Sequence, residues 1–188
     1  MRITSGIHRG RLLTAPKGKN TRPTSDRTRE SVFNILRHGS WHDGVLEEAT
    51  VLDVFAGTGA LGLEALSQGA KHAAFIEREH SAADVCRGNI ETLGETDRTT
   101  VFTFDALHPL NRPLYIEPRS LVFLDPPYGK YMGTEALQAL IKKKWLKEGA
   151  VCVMEMSKRV PETLPAGFAL QDERTYGIAQ VQFLIWEG

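Results

Sequence analysis

The residues best suited to chemistry are four acids, each at the end of an apolar run: Asp53 in TVLDVF, Glu77 after HAAFI, Asp105 after TVFTF and Asp125 after LVFL. One or two such acids would pass as helix caps or solvated loop residues. Four in series ask for a common cause. In an open α/β sheet, ligands bind beyond the carboxyl ends of the strands, so all four should line one crevice. Asp125 opens the tetrapeptide Asp125-Pro126-Pro127-Tyr128. An exocyclic amino group on a nucleobase is a poor nucleophile because its lone pair is delocalised into the ring. A carboxylate and a main-chain carbonyl that accept its two hydrogens favour a pyramidal nitrogen. Asp125 and the carbonyl of Pro126 supply those acceptors, the prolines hold the turn rigid, and Tyr128 offers a ring on which a base can stack.

Between Asp53 and Glu77 runs Gly57-Thr58-Gly59-Ala60-Leu61-Gly62, a GxGxxG loop. Such a loop brings backbone close to a ligand and turns a strand sharply into a helix. By itself it is shared with nicotinamide-binding folds, and Glu77, twenty residues after Gly57, would then take a ribose. Asp53 argues against a pyrophosphate in that loop, since it would place like charges together. Asp53 suits an ammonium, Glu77 two ribose hydroxyls and Asp105 an adenine amino group. That set matches S-adenosylmethionine, which carries a sulfonium, an ammonium and an adenosine but no phosphate. The NAD-dependent oxidoreductase reading leaves the DPPY segment without a role. A non-catalytic RNA-binding module leaves all four acids without one.

The elements that must position these residues follow from the hydrophobic pattern. Strands are expected at 50–55, 72–76, 100–104, 121–124 and 150–155, with helices from the glycine loop to 68, over 81–93 and over 134–144. A closing pair of strands at 168–176 and 179–186 turns near Gly177. Alternating strand and helix predicts a mostly parallel seven-stranded α/β sheet covered on both faces, and the closing pair without a helix predicts an antiparallel last strand. A further helix is expected from Ser25 or Asp26 to about Arg37, with Val32, Phe33, Ile35 and Leu36 as its apolar stripe.

Net charge is zero, but it is unevenly placed. Residues 1–40 hold nine Lys/Arg against Asp26 and Glu30, a surplus of seven that the remaining positions reverse. A basic arm on an acidic body suggests an anionic partner, and Arg9, Arg11, Lys17 and Lys19 are the candidates for RNA backbone contact. Residues 1–40 therefore read as a basic arm and helix, and 41–188 as the catalytic domain. Cys86 and Cys152 form no CxxC or Cys/His cluster, so no metal site is expected. Free thiols, no secretory signal and no run near 18 apolar residues predict a cytoplasmic protein without membrane contact. None of the six histidines falls at an acidic strand end, so none is expected to be catalytic.

The residues also carry a resemblance. The segment Asp125-Pro126-Pro127-Tyr128 is similar to the (D/N/S)PP(Y/F) motif of class I methyltransferases acting on base amino groups. Arg9-Gly10-Arg11-Leu12, Arg22-Pro23-Thr24-Ser25-Asp26-Arg27-Thr28-Arg29-Glu30 and Phe33-Asn34-Ile35-Leu36 precede the 53–66 segment DVFAGTGALGLEAL. Phe75-Ile76-Glu77-Arg78, Phe104-Asp105-Ala106 and Leu124-Asp125-Pro126-Pro127-Tyr128 follow in order. Together they resemble the RsmD family, bacterial small-subunit ribosomal RNA guanine-N2 methyltransferases, along essentially the whole chain. The resemblance implies the class I methyltransferase (Rossmann-like) fold, S-adenosylmethionine as cofactor, and guanine 966 of 16S ribosomal RNA as target, on assembled or nearly assembled small subunits. It implies a cofactor site of Arg22, Pro23, Thr24, Asp53, Phe55, Ala56, Gly57, Gly59, Glu77, Arg78, Asp105 and Ala106, with Asp125, Pro126 and Tyr128 acting on the base. A monomer is expected. The alternative within the chemistry is an adenine-N6 or cytosine-N4 amino-methyltransferase on DNA or RNA. A DNA enzyme usually carries a target-recognition domain, for which 188 residues leave little room.

Overall fold

The structure, a computed structural model, describes residues 1–15, 26–42, 44–127 and 131–188. Seven strands form one sheet: β1 (Thr50–Val54), β2 (His72–Ile76), β3 (Thr99–Phe102), β4 (Arg119–Leu124), β5 (Leu146–Ser157), β6 (Phe168–Tyr176) and β7 (Ala179–Trp186). Their spatial order is β3-β2-β1-β4-β5-β7-β6. The first five are parallel; β7 lies antiparallel between β5 and β6. The expected mostly parallel sheet with its last strand antiparallel is therefore the observed one. The last strand lies inside the sheet rather than at its edge, and β6 forms the edge.

Helices α1 (Asp26–His38), α2 (Ala60–Ser67), α3 (His80–Leu93) and α4 (Met132–Lys142) cover the sheet. Every residue of β1 is buried, as a strand covered on both faces requires. Val51 packs with Phe33, Leu63, Cys86 and Phe123 beneath α1, α2 and α3. Leu52 and Val54 face the opposite core of Val122, Leu137, Leu140 and Trp145 beneath α4. Crossovers from β1 to β3 thus run on one face and the β4–β5 crossover on the other. That makes the β1/β4 seam the point where strand order reverses, the place such sheets bind ligands.

Three elements depart most from the sequence pattern. Strand β3 begins and ends earlier than 100–104, because a short 3-10 turn, Thr96–Arg98, delivers the chain directly into it. Helix α4 runs Met132–Lys142 rather than 134–144. Lys144 takes a left-handed conformation (φ 59°), and Trp145 N donates to Leu140 O at 3.0 Å, a C-terminal cap that stops the helix. Strand β5 extends back to Leu146 through the exposed Lys147-Glu148-Gly149, where its pairing with β4 shifts register.

Residues 1–15 pack against this body. Arg2 and Leu12 bridge antiparallel, and Ile3 and Leu13 join the core below α1 and α2. The fastening is polar and buried. Glu64, the only charged residue in the helix ALGLEALS, is fully buried. It accepts from Thr4 N (2.8 Å), Thr4 Oγ1 (2.9 Å), Ser5 N (2.9 Å), Gln68 Nε2 (2.8 Å) and Arg29 Nε (3.2 Å). Arg29 is buried beside it and donates also to Asp26 and to the carbonyl of Arg2. His8 meets Glu95 at 2.5 Å, and Glu95 is held in turn by Arg98.

Candidate active site

The β1/β4 seam gathers residues singled out in the sequence. Phe55, after β1, has φ 63°, Gly57 has φ 54° and Gly59 has φ 78°, so the chain reverses through left-handed backbone into α2. The glycines serve different ends. A Cβ on Gly59 would lie 2.7 Å from Cys86 Sγ, and one on Gly62 2.4 Å from the Phe75 ring; both let α2 sit close on α3 and β2. A Cβ on Gly57 would meet nothing nearer than Phe55 O at 3.9 Å, so its outer face borders open space above the strand ends. Ala56 is buried, its N–H donating to Ile76 O at 3.0 Å, and Phe55 packs on the α4-side core.

The acids hold this loop. Asp53 is 2% exposed and accepts from Gly62 N at 2.9 Å, beneath the loop. Burial pushes its carboxyl up to about 8; the Gly62 N–H opposes the rise, and the charges of Asp125 and Glu77 add to it. Asp53, Glu77 and Asp125 therefore share one electrostatic environment. Glu77, half-buried, accepts from Gly57 N (2.9 Å) with one oxygen and from Glu79 N (2.8 Å) with the other, tying the glycine loop to the end of β2. Asp105 lies past β3, accepting from Leu107 N at 3.0 Å with His108 Nδ1 3.6 Å from its other oxygen; Ala106 is buried behind it. Asp125 is half-buried at the end of β4 and Pro126 is buried, while Arg78 is exposed beside Glu79 at 3.7 Å.

Arg9 and Arg11 are exposed on the amino-terminal hairpin, Arg11 donating to Thr92 O at 3.0 Å. Lys17, Lys19, Arg22, Pro23, Thr24 and Tyr128 lie outside the described residues. One residue not singled out from the sequence belongs to the site's frame. Buried Asn89 accepts from Thr14 N (2.8 Å) and donates to Thr14 O and Thr58 O (both 3.0 Å), joining residues 1–15 to the glycine loop. Its signal was a polar residue on the apolar Cys86–Ile90–Leu93 stripe of α3. Glu64 gave the same kind of signal, a lone acid in an apolar helix.

Sheet order, antiparallel β7, the glycine loop and the row of strand-end acids define a class I methyltransferase fold. The profile of the family described as conserved hypothetical protein 95 matches residues 1–185. Ribosomal RNA small subunit methyltransferase D of Haemophilus influenzae is 34% identical over 179 residues, covering 95% of this chain and 90% of that one. "Putative rRNA methyltransferase YlbH" of Bacillus subtilis is 38% identical over 185 residues, covering 96% of each. The solved Escherichia coli protein named "Putative methyltransferase yhhF" superposes with a TM-score of 0.83 at 33% identity, covering 100% of this chain and 98% of that one. The chain belongs to this RsmD-like methyltransferase family.

Proposed function

We propose that this protein transfers a methyl group from S-adenosylmethionine to the exocyclic N2 of a guanine in small-subunit ribosomal RNA, the position implied being guanine 966 of 16S RNA. The observation that carries the reading is the placement of Asp125-Pro126 at the end of β4, beside the glycine loop at the end of β1 and across the seam from it. The relatives' names, ribosomal RNA methyltransferases, favour RNA over DNA.

The residues fit the cofactor. Gly57 leaves open space above the strand ends, and the surrounding groups are carboxylic acids that suit a cation and two ribose hydroxyls. The same acids would repel a pyrophosphate. In this reading Glu77 takes the ribose hydroxyls, and Asp105 with Ala106 takes the adenine. Asp53 acts from beneath: it shapes the loop through Gly62, and a cation bound at the methionine end would favour its ionised form. When bound, S-adenosylmethionine supplies a methyl carbon already activated by its sulfonium.

The protein's work is then orientation. Asp125 and the Pro126 carbonyl accept the two hydrogens of the guanine amine, aim its lone pair, and stabilise positive charge as it grows on nitrogen. No strong base is needed, because the amine proton becomes acidic after transfer. The base must leave its stack to arrive there, at a cost of a few kcal/mol that backbone contacts offset. Arg9, Arg11, Lys17 and Lys19 supply those contacts in this reading, and Tyr128 stacks the base. Arg22, Pro23, Thr24 and Arg78 complete the cofactor end.

The test is methyl transfer from labelled S-adenosylmethionine to small subunits from a strain lacking the gene, with the modified nucleotide located by mass spectrometry. Incorporation at a guanine amine, abolished by Asp125→Ala with cofactor affinity retained, is the expected result. Incorporation at an adenine or cytosine amine would reassign the substrate, and no incorporation into RNA would overturn the reading.

A further inference from the structure

A second binding feature stands on the rim that holds Asp125, where α4 begins and β5 ends. Between the start of α4 and the segment after β5 lies a cleft of about 280 Å³, lined by Tyr131, Glu135, Gln138, Pro161 and Thr163 among others. Its walls are braced. Glu162 accepts from Thr134 N at 2.7 Å and Gly133 N at 3.4 Å, and Thr134 Oγ1 donates to Thr163 O at 2.7 Å, so the 161–163 segment is fastened to the first turn of α4. Tyr131 lines the cleft and is 59% exposed as a residue.

Next to the cleft, Lys158 and Arg159 follow β5. Leu124 of β4 pairs with Met154, which brings Asp125 level with Glu155. Lys158 stands three residues further along, about 10 Å at the usual strand rise. The turn that carries the two cations is held in place: Lys158 N donates to Ile178 O at 3.0 Å, Val160 N to Ser157 O at 2.9 Å, and Arg159 N to Ser157 Oγ at 3.3 Å. Both side chains are exposed, and among the described residues neither pairs with an acid. They are exposed cations at the end of β5, on a body that is otherwise net acidic.

We propose that this cleft seats a nucleotide flanking the target, its base against Tyr131 and its phosphate on Lys158 and Arg159. The proposal rests on the RNA-substrate reading above and extends it to a second base. The chemistry fixes the orientation. Glu135 repels a phosphate but accepts from an exocyclic amine, and Gln138 both donates and accepts, so the base edge lies inward toward α4. The two cations lie outward, where the backbone passes. Extruded bases in RNA are held in this way, by stacking on an aromatic ring and hydrogen bonds to their edges.

The experiment uses the full chain and small subunits from a strain lacking the gene. Tyr131→Ala is expected to raise the apparent KM for subunits about five- to hundredfold, the range expected for loss of one base–aromatic stack, with Tyr131→Phe close to wild type. A Lys158→Ala/Arg159→Ala double variant should lower the slope of log affinity against log salt by roughly one to two. Adenosylhomocysteine affinity should be unchanged in all three. In an RNA fragment carrying the target, an abasic nucleotide at one flanking position should cost the wild type as much as Tyr131→Ala, and cost that variant nothing more. Wild-type methylation with unchanged KM and salt slope in the variants would overturn the cleft alone, leaving the substrate reading intact. A Tyr131→Ala defect carried by weaker adenosylhomocysteine binding would also overturn it. A wild-type protein inert on RNA would remove the substrate reading and the cleft's occupant together.

Discussion

Replacing Arg29 by Met tests how residues 1–15 are secured. Arg29 is 1% exposed and Glu64 is fully buried, with 3.2 Å between Nε and Oε2. Methionine fills much of the same volume but leaves the Glu64 carboxylate buried without its cation. Breaking one side of a buried pair costs about 3–5 kcal/mol, against a total stability of roughly 5–15 kcal/mol. For a chain of this size each kcal/mol moves Tm by about 2–4 °C, so a drop of roughly 6–20 °C is expected in thermal denaturation. The loss should also be local. Arg29 donates to the Arg2 carbonyl, and Glu64 receives Thr4 and Ser5. The amides of Ile3 and Leu13, bonded to Arg11 O (2.9 Å) and Met1 O (3.0 Å), should therefore exchange with solvent well before those of β1. An Arg29→Met/Glu64→Met pair should recover part of the stability but not all, because Thr4 N and Ser5 N lose their acceptor. A loss under about 1 kcal/mol for Arg29→Met, the value of an exposed pair, would refute the reasoning.

Stability of the free protein should respond to pH through two groups of opposite sign. Asp53 is raised from 3.8 to about 8, so the folded state holds the extra proton between those values; its contribution is full below pH 4 and lost as pH rises through 8. Asp53→Asn should flatten that decline in urea titrations at pH 5 and pH 8. His72, chiefly through burial and then the Arg119 charge, is lowered to about 4, so its contribution is present above pH 6.5 and lost as pH falls toward 4; His72→Gln should reduce acid sensitivity in that window. The loop glycines should separate by readout. Gly59→Ala should cost clearly more stability than Gly57→Ala, since its Cβ meets Cys86 at 2.7 Å, whereas Gly57→Val should act mainly on cofactor affinity, measured by titration with adenosylhomocysteine. Neutralising Arg9, Arg11, Lys17 and Lys19 should flatten the salt dependence of RNA binding while leaving cofactor affinity intact; a wild-type salt slope would make the arm a passive element.

The sheet and the placing of acids at its strand ends were legible because their signals are local. TVLDV is apolar along its length and buried on both faces, and acids at the ends of parallel strands must converge wherever the sheet places them. What escaped the sequence depends on partners distant in the chain. Nothing around Glu64 says that Thr4, Ser5 and Arg29 will surround it, so the first 15 residues read as an arm although Ile3 and Leu13 are core. Asp53 was expected as an acceptor for the ligand's ammonium. Its burial and its bond to Gly62 N come from the path of the glycine loop, which spacing alone does not reveal. The insertion of β7 between β5 and β6 was likewise not written in its alternation, since a hairpin can join a sheet by either strand.

The β1/β4 seam also gives the site two histories during folding. The glycine loop, Glu77 and Asp105 come from consecutive β1–α2–β2–α3–β3 units, which assemble through contacts close in sequence. Asp125 joins them only when β4 returns to lie against β1, a closure spanning 70 residues between Thr50 and Ser120. Such long closures come late and slowly. On a growing chain, the residues proposed to hold the cofactor are therefore made before those proposed to receive the base, and the two sets meet only when β4 docks on β1.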